Sequence, residues 1–234
     1  PSHEPIKLLL HPDEPMPLLM PTRNGSIAAS ANGNGGPNGT GHETPFQMWK
    51  RTNVTSQKQE GYVTAAIKLF MGDITGEQML AVADLADRYS NGNLRTTINQ
   101  NVIIRWVPES QVEALYHRLA AEGLGDPGAE QVEDVVACPG ADTCNIAVTQ
   151  SRGLAAAIGT ELENEGLAEV GGVRINISGC TNSCGQHHIA DIGFFGAERR
   201  AHGKAAPGYQ MLLGGYVGQE QIHFGDKALR LPAK

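Results

Sequence analysis

The four cysteines of this 234-residue chain fall into two close pairs, and this spacing constrains the fold more than any other feature. Five residues separate Cys138 from Cys144, three separate Cys180 from Cys184, and thirty-five lie between the pairs. Thiolates grouped in this way suit a soft metal centre that takes four sulfurs from two loops. The first hypothesis is therefore an iron-sulfur cluster with all four cysteines as metal ligands.

Three other interpretations of the cysteines remain open. Two disulfides would need an oxidising compartment, but no secretory segment follows Pro1, which predicts a cytoplasmic protein unless a signal peptide has already been removed. A structural zinc site is the closer alternative, although zinc pairs usually have two to four residues between them and the first pair here has five. Unrelated buried thiols are the third, which the pairing disfavours.

The residues around the cysteines indicate how each pair is presented. Small residues such as Gly140 and Gly179 would let backbone N–H groups approach the sulfurs of a cluster. The apolar run from 145 to 158 lacks proline and predicts a helix that starts beside Cys144, with its positive end towards an anionic centre. Alternation over 173–178 predicts a strand that leads into the second pair.

The region upstream of the cysteines predicts a compact α+β unit. Its expected order is strand, helix, two strands and helix. Thr75 and Gln78, and likewise Ser110 and Glu113, have the spacing of a capping box at a helix start. The predicted segments are a strand over 62–70, a helix through 79–89, two strands within 94–107 that bend at 99–101, and a helix with apolar positions Val112, Leu115, Tyr116 and Leu119.

Composition sets the remaining boundaries. Residues 1–44 are predicted to be a flexible segment, because Gly, Asn and Ser dominate the stretch from 26 to 44 and offer little apolar surface to bury. A half-domain over 45–125 and a cluster-binding domain over 126–234 follow. A net charge of −7 argues against nonspecific nucleic-acid binding. No stretch is apolar for long enough to suggest a membrane span.

Two long motifs around the cysteines resemble those of the sirohaem-dependent nitrite and sulfite reductases. They run from Asp134 to Cys144 and from Ile175 to Gln186, and the segment 188–193 continues the likeness. Upstream, the segments 49–54, 59–63 and 94–101 look like the second of the two half-repeats in these enzymes. The strings 182–186 and 190–194 lean towards the nitrite-reducing branch.

The resemblance implies a fold, cofactors and roles. The expected fold is α+β, with a ferredoxin-like half-domain followed by a mixed α/β domain that binds sirohaem and a [4Fe-4S] cluster. Cys138, Cys144 and Cys180 would bind the cluster alone, while Cys184 would also bridge to the sirohaem iron and act as the catalytic thiolate. By motif position or by chemistry, the candidate sirohaem-binding residues are Arg95, Thr97, Gln100, Asn101, Arg152 and Asn182.

The expected activity is the six-electron reduction of nitrite to ammonia, with sulfite reduction to sulfide as the close alternative. The implied electron donor is a protein such as ferredoxin. Because the substrate-binding basic residues of this family lie largely in the first repeat, the chain is expected to be a C-terminal portion that works with a missing N-terminal repeat. An iron-sulfur electron-transfer subunit without a substrate site of its own is the alternative from another class. His187 and His188 are expected near the site without being metal ligands.

Overall fold

The computed structural model describes residues 43–201, 203–218 and 221–233. The predicted flexible segment 1–44 therefore lies almost wholly outside the described residues. The first unit is a four-stranded antiparallel sheet of order β1-β2-β4-β3 with three helices. Its elements are α1 (Pro45–Asn53), β1 (Val54–Ser56), β2 (Tyr62–Ile67), α2 (Gly76–Ser90), β3 (Leu94–Thr96), β4 (Val102–Pro108) and α3 (Val112–Ala121).

The apolar periodicity of this half-domain reports its core. Val112, Leu115, Tyr116 and Leu119 on α3 are all buried against the sheet, as their spacing predicts. The Thr75–Gln78 capping box is formed, with the Thr75 hydroxyl accepting from the Gln78 N–H at 3.1 Å. The prediction of strand, helix, two strands and helix is thus confirmed, although α1 and β1 precede it and were not predicted.

One predicted cap in this unit is wrong. Ser110 lies inside a short 3-10 turn, Glu109–Gln111, and the residue before α3 is Gln111, which makes no side-chain cap. Glu109 N–H bonds to the Gly61 carbonyl at 3.0 Å, which ties this turn to the start of β2. The chain therefore enters α3 through backbone bonds and needs no Ser110 hydroxyl.

The second unit is a mixed five-stranded sheet of order β11-β8-β7-β6-β5, with one helix and a separate two-stranded ribbon. β5, β6 and β7 are parallel, while β8 and β11 continue the sheet in antiparallel fashion. Its elements are β5 (Val136–Ala137), α4 (Ser151–Asn164), β6 (Ile175–Ser178), β7 (Ile192–Ala201), β8 (Lys204–Leu213), β9 (Tyr216–Val217), β10 (Ile222–His223) and β11 (Asp226–Pro232).

The predicted strand before the second cysteine pair is confirmed as β6, but the predicted helix start is wrong. α4 begins at Ser151, seven residues after Cys144. The intervening backbone pairs with the second loop instead: Val148 and Thr149 both donate their N–H groups to the Gly179 carbonyl, at 2.7 and 3.2 Å. Residues committed to those bonds cannot close the i to i−4 bonds of a helix.

The two units meet through polar contacts. Lys68 of the half-domain pairs with Glu133 at 2.5 Å, and Asn101 donates to Asp134 at 2.6 Å. Asn53 accepts from the Ala129 N–H at 3.3 Å, so the linking segment is held by the end of α1. Burial raises the pKa of Asp134 to about 6. Within the described part of the chain, no helix is long and apolar enough to cross a membrane.

Candidate functional site

Both cysteine pairs begin where a parallel strand ends. Cys138 directly follows β5, and Cys180 follows β6 after the single residue Gly179. Because β5 and β6 pair in parallel, with Ala137 opposite Ile177, their carboxyl ends lie at the same edge of the sheet. The carboxyl edge of parallel strands is where open α/β sheets place their ligand sites. The fold thus brings the two loops of the sequence prediction together.

Gly179 joins the two loops. Its carbonyl accepts from Val148 and Thr149, and its N–H donates to the Cys138 sulfur at 3.1 Å. A Cβ at Gly179 would lie 2.8 Å from the Gly140 Cα, a distance that real side chains do not reach. The loops therefore approach backbone to backbone, which only glycine permits here.

Cys138 is buried and already sits among hydrogen-bond donors. The Gly179 N–H points at its sulfur, and the Ser151 hydroxyl lies 3.4 Å from the same atom. Ser151 also donates to the Cys138 carbonyl at 2.6 Å, so the first residue of α4 holds the first cysteine. The Gly179 N–H is thus placed to donate to the sulfur of a metal-bound Cys138 as well.

The Ser178 hydroxyl forms hydrogen bonds that hold the loop of Cys184 in place. Ser178, the last residue of β6, accepts from the Gly185 N–H at 3.0 Å and bonds to His187 Nδ1 at 2.8 Å. Ser183 and Gln186, on either side, have positive φ values of 60° and 58°. Left-handed backbone at two non-glycine residues is strained, and such strain persists where surrounding contacts require it.

His187 is fully buried and lies between aromatic rings. Its ring centroid is 4.1 Å from that of His188 and 4.8 Å from that of Phe195. Burial and, to a smaller extent, the neighbouring His188 lower the pKa of His187 to about 4, so the ring is neutral at pH 7. The expectation that it lies near the site without ligating a metal stays a prediction.

The cysteines are unpaired thiols with graded exposure. Cys138 is buried, Cys144 and Cys180 are half-buried, and Cys184 is exposed. Among the described residues, which include all four cysteines, no group of three or more His, Cys, Asp or Glu side chains is arranged to hold one metal ion. The choice between a cluster and zinc rests on the spacing of the cysteines and on the motifs around the two pairs.

The surroundings of the loops fit a cluster in two further respects. The donor set is four thiols with backbone and hydroxyl donors beside them, as thiolate-bound clusters require. Three buried side-chain polar atoms in the described residues have no hydrogen-bond partner, namely Trp49 Nε1, His187 Nε2 and the Tyr209 hydroxyl. Two of the three lie in the cysteine-bearing unit, and buried polar groups of this kind usually have a partner.

Gln100, a predicted sirohaem contact, bonds to the strand before the first cysteine. Its side-chain amide donates to the Ala137 carbonyl and accepts from the Ala137 N–H, both at 3.0 Å. β5 ends the sheet, so the amide pairs with its free edge as a neighbouring strand would. The left-handed backbone of Gln100, with φ of 63°, aims the side chain across the boundary between the units.

The other predicted residues on β3 and in the β3–β4 turn also make local or inter-unit bonds. Asn101 is 2% exposed, and it accepts from the Leu69 N–H at 2.9 Å as well as donating to Asp134. Thr97 accepts from the Asn101 N–H at 3.1 Å, which closes the turn. Arg95 is exposed and donates to the Leu94 carbonyl at 2.8 Å. Sirohaem contacts for all of these residues stay predictions.

Arg152 lies just beyond the first cysteine loop, and Asn182 lies on the second. Arg152 follows Ser151 at the start of α4, and its guanidinium forms a two-bond ion pair with Asp73 of the half-domain. A carboxylate of sirohaem would have to share or replace that partner. Asn182 stands between Cys180 and Cys184 and is exposed. The structure thus brings Gln100, Arg152 and Asn182 to the neighbourhood of the cysteine loops.

Several residues that shape the site were not predicted from the sequence. Ser178 could have been noticed, since a lone hydroxyl ends an apolar strand just before the second pair. Gly196 had no such signal: a Cβ there would run into the Gly179 carbonyl and the Thr149 hydroxyl. Tyr209, whose hydroxyl has no partner, is far along the chain on β8. Only the register of the sheet brings these two residues to the cysteine loops.

The fold and the site define an α+β redox type of protein, with an antiparallel half-domain joined to a sheet that presents two cysteine loops. Comparison with family models agrees: residues 55–122 match the nitrite/sulfite reductase ferredoxin-like half domain, and residues 128–223 match the nitrite and sulphite reductase 4Fe-4S domain. The chain belongs to the nitrite and sulfite reductase family. The predicted cofactors, a [4Fe-4S] cluster and sirohaem, are those of this family.

Individual relatives are similar over three quarters of the chain. A ferredoxin–nitrite reductase of Synechococcus elongatus is 37% identical over 176 residues, which cover 75% of this chain and 34% of that protein. The chloroplastic enzyme of Spinacia oleracea is 32% identical, with 76% and 30% covered. The solved structure of Mycobacterium tuberculosis NirA has a TM-score of 0.64 at 30% identity, with 77% and 34% covered. The chain thus spans about a third of the length of the curated relatives it matches.

Proposed function

We propose that this chain is the cluster- and sirohaem-binding portion of a ferredoxin-dependent nitrite reductase that reduces nitrite to ammonia. The observation that carries the proposal is the meeting of the two cysteine loops at the carboxyl edge of β5 and β6, joined through Gly179. The names of the similar proteins supply the substrate and the donor. Each nitrite requires six electrons, which reduced ferredoxin would supply and which a bound cluster and haem would pass on one at a time.

The division of labour follows the exposure of the cysteines. Cys138 is buried, with the Gly179 N–H and the Ser151 hydroxyl beside its sulfur, so this sulfur is suited to bind the cluster alone. Cys184 is exposed at the tip of the second loop, where its sulfur can reach a second group beyond the cluster. This difference supports the assignment of Cys184 as the thiolate shared by cluster and sirohaem iron. Cys144 and Cys180 complete the cluster ligands.

The residues around Cys184 hold its loop without ligating metal. Ser178 fixes the Gly185 N–H, and His187 fixes Ser178. Because burial keeps His187 neutral, its pKa lowered to about 4, it adds no positive charge that would compete with iron for the thiolate. The candidate sirohaem contacts remain Arg152 at the start of α4, Asn182 on the second cysteine loop, Arg95 on β3, and Thr97, Gln100 and Asn101 in the β3–β4 turn.

Purification without oxygen, followed by iron and acid-labile sulfide determination and a visible spectrum, tests the cofactors. About four irons and four sulfides per chain with a chlorin-type band are expected. A cluster without the chlorin band would support an electron-transfer subunit instead, and zinc as the sole metal would contradict the proposal. Nitrite consumption and ammonium production with reduced ferredoxin, in the longest natural form of the protein, test the activity. Sulfide from sulfite at a higher rate would assign the alternative substrate.

The bridging assignment is tested by Cys184→Ser, with Cys138→Ser as the matched change at a buried ligand. Both variants are expected to lose activity. Cys184→Ser should in addition abolish the magnetic coupling between cluster and haem, seen by paramagnetic resonance in any protein that still loads both groups. Normal turnover and coupling in Cys184→Ser would overturn the bridging role while leaving the cluster itself in place.

A further inference from the structure

Tyr209 lies on the face of the sheet that carries the cysteine loops. It is directly opposite Gly196 in the antiparallel pair of β8 and β7, and residues so paired project to the same face. At Gly196 a side chain would meet the Gly179 carbonyl and the Thr149 hydroxyl, one group from each cysteine-bearing loop region. Because Gly196 has no side chain, the Gly179 carbonyl and the Thr149 hydroxyl lie directly against its backbone, on the face of the sheet that also carries Tyr209.

The hydroxyl of Tyr209 is buried without a hydrogen-bond partner. The residue is 5% exposed, and its ring packs edge-on against Phe194 with centroids 6.4 Å apart. A buried donor without a partner destabilises the folded protein, so phenylalanine would be the more stable choice if the hydroxyl had no role. An unpaired hydroxyl at this place is a sign of a group that is bound there in the loaded protein.

The groups near this hydroxyl are those of the first cysteine loop. Burial raises the pKa of Tyr209, and the Cys138 thiol and the Asp142 carboxyl raise it further. Thr149 lies beside it and moderates this rise, yet the two hydroxyls do not meet in hydrogen-bonding geometry. The Thr149 hydroxyl instead donates to the Gly179 carbonyl at 3.4 Å. Among the described residues, Tyr209 thus has a buried hydroxyl without a hydrogen-bond partner, and the Cys138 thiol is one of the groups that act on it.

We propose that, in the loaded protein, the Tyr209 hydroxyl donates a hydrogen bond to a sulfur of the cluster or of its Cys138 ligand and thereby raises the reduction potential of the cluster. This inference rests on the proposed function, because it needs the cluster at these cysteines. It adds a second donor to the Gly179 N–H, which already donates to the Cys138 sulfur, whereas the proton of the Ser151 hydroxyl goes to the Cys138 carbonyl. A donor of this kind stabilises the more negative, reduced state of a cluster more than the oxidised state.

The test compares Tyr209→Phe with Tyr116→Phe in the loaded protein. Tyr116 is the matched control, since it is 8% exposed and lies among the aromatic rings of Phe46 and Trp49 in the half-domain. Both variants keep the ring and should keep iron and sulfide at the wild-type ratio. Redox titration monitored by paramagnetic resonance should show a more negative cluster potential in Tyr209→Phe and no shift in Tyr116→Phe.

A second measurement does not depend on the potential. Exchange of the protein into deuterated water should shift the iron-sulfur stretching bands in the resonance Raman spectrum, and the shift should be smaller in Tyr209→Phe than in wild type or in Tyr116→Phe. A Tyr209→Phe protein with a full cluster, an unchanged potential and an unchanged isotope shift would overturn the inference. The inference would also be overturned if Thr149→Val alone gave the same shift in potential and Tyr209→Phe added nothing to it. The Tyr209 hydroxyl would then act through a hydrogen bond to Thr149 and not through the cluster.

Loss of the cluster separates the two proposals. If Tyr209→Phe alone loses iron and sulfide while Tyr116→Phe retains them, the hydroxyl contributes to cluster binding, and the inference is supported in a stronger form. If the wild-type protein itself holds no iron and sulfide, the proposed function fails first and the inference fails with it. An intact wild-type cluster with no effect at Tyr209 overturns the inference and leaves the proposed function standing.

Discussion

The half-domain and the cysteine-bearing domain are held together by different means. In the half-domain, helices α2 and α3 bury apolar stripes against an antiparallel sheet, around large side chains such as Trp49, Ile104 and Leu115. At the carboxyl edge of the sheet in the second unit, the two cysteine loops contact each other through backbone groups and glycines, and Gly179 lies at the centre of these contacts. Side-chain packing tolerates exchange of one apolar residue for another. Close backbone contact around a glycine tolerates almost no substitution of that glycine.

The largest expected effect comes from Gly196→Ala. Its Cβ would overlap the Gly179 carbonyl and the Thr149 hydroxyl, and both belong to backbone segments that cannot move apart without separating the loops. We expect loss of the cluster and destabilisation by about 1–3 kcal/mol or more, from overpacking. Iron and sulfide content and urea unfolding measure the two effects.

Gly159→Ala is the matched control for that change. Gly159 lies within α4, and a Cβ there would meet no atom within 4 Å. Alanine is the better helix former by about 1 kcal/mol, so this variant should be at least as stable as the wild type and keep its cluster. Equal losses from the two glycines would show that close backbone contact does not distinguish the second unit.

The same contrast explains how far the sequence could predict the structure. Helical spacing of apolar residues predicts which face of a helix is buried. The buried face of α3 could therefore be identified from four positions in the sequence alone, namely Val112, Leu115, Tyr116 and Leu119. The strand before the second cysteine pair could also be predicted, because alternation over 173–178 carries that information locally, whereas β5 before the first pair was not predicted. The cofactors then followed from the resemblance of long motifs.

The start of α4 could not be predicted from local pattern. Residues 145–149 have a helical composition. However, the N–H groups of Val148 and Thr149 and the Thr149 hydroxyl donate to the Gly179 carbonyl, about thirty residues further along the chain. Such a bond leaves no periodicity in the sequence. The same holds for Tyr209, which reaches the cysteine loops only through the register of β7 and β8. Gln100 was selected by motif position, yet its bonds to Ala137 depend on β5 being an edge strand.

The second prediction concerns the boundary between the units, where Asp134 is buried. Burial raises its pKa from 3.8 to about 6, so the folded state holds this proton more tightly than the unfolded chain does. The resulting stabilisation is complete below pH 4 and is lost as the pH rises through 6. Relative to Asp134→Asn, the wild-type cluster-free chain should lose up to about 3 kcal/mol of unfolding free energy between pH 4 and 7.

Urea unfolding of both proteins at several pH values measures this difference. Asn101→Ala sharpens the test, because the Asn101 amide donates to Asp134 and lowers the pKa of its carboxyl. Without that donor, the loss of stability with rising pH should extend to higher pH. A difference between wild type and Asp134→Asn that is independent of pH would mean that the boundary is open to water, unlike either core.

The smallest of the three effects is expected at Gln100, whose side chain belongs to the half-domain while its bonds serve the other unit. Gln100→Ala removes both bonds to Ala137 and leaves the buried N–H of that residue without a partner, at a cost of about 2 kcal/mol. The backbone strain at φ of 63° is common to glutamine and alanine, so it cancels from the comparison. The Ala137 amide should exchange its hydrogen faster, whereas amides of the half-domain core should not.

The exposed Gln59, which accepts from Gln57 at 3.2 Å, supplies the control. Gln59→Ala should change stability by no more than about 0.5 kcal/mol, as surface substitutions usually do. If Gln100→Ala lowers the stability by no more than Gln59→Ala and leaves the Ala137 amide protected from exchange, then β6 alone holds β5. The half-domain would then make no contribution to the position of the first cysteine. If the cost and the faster exchange are both found, the half-domain contributes to the cysteine site by supplying the last strand-like neighbour of its sheet.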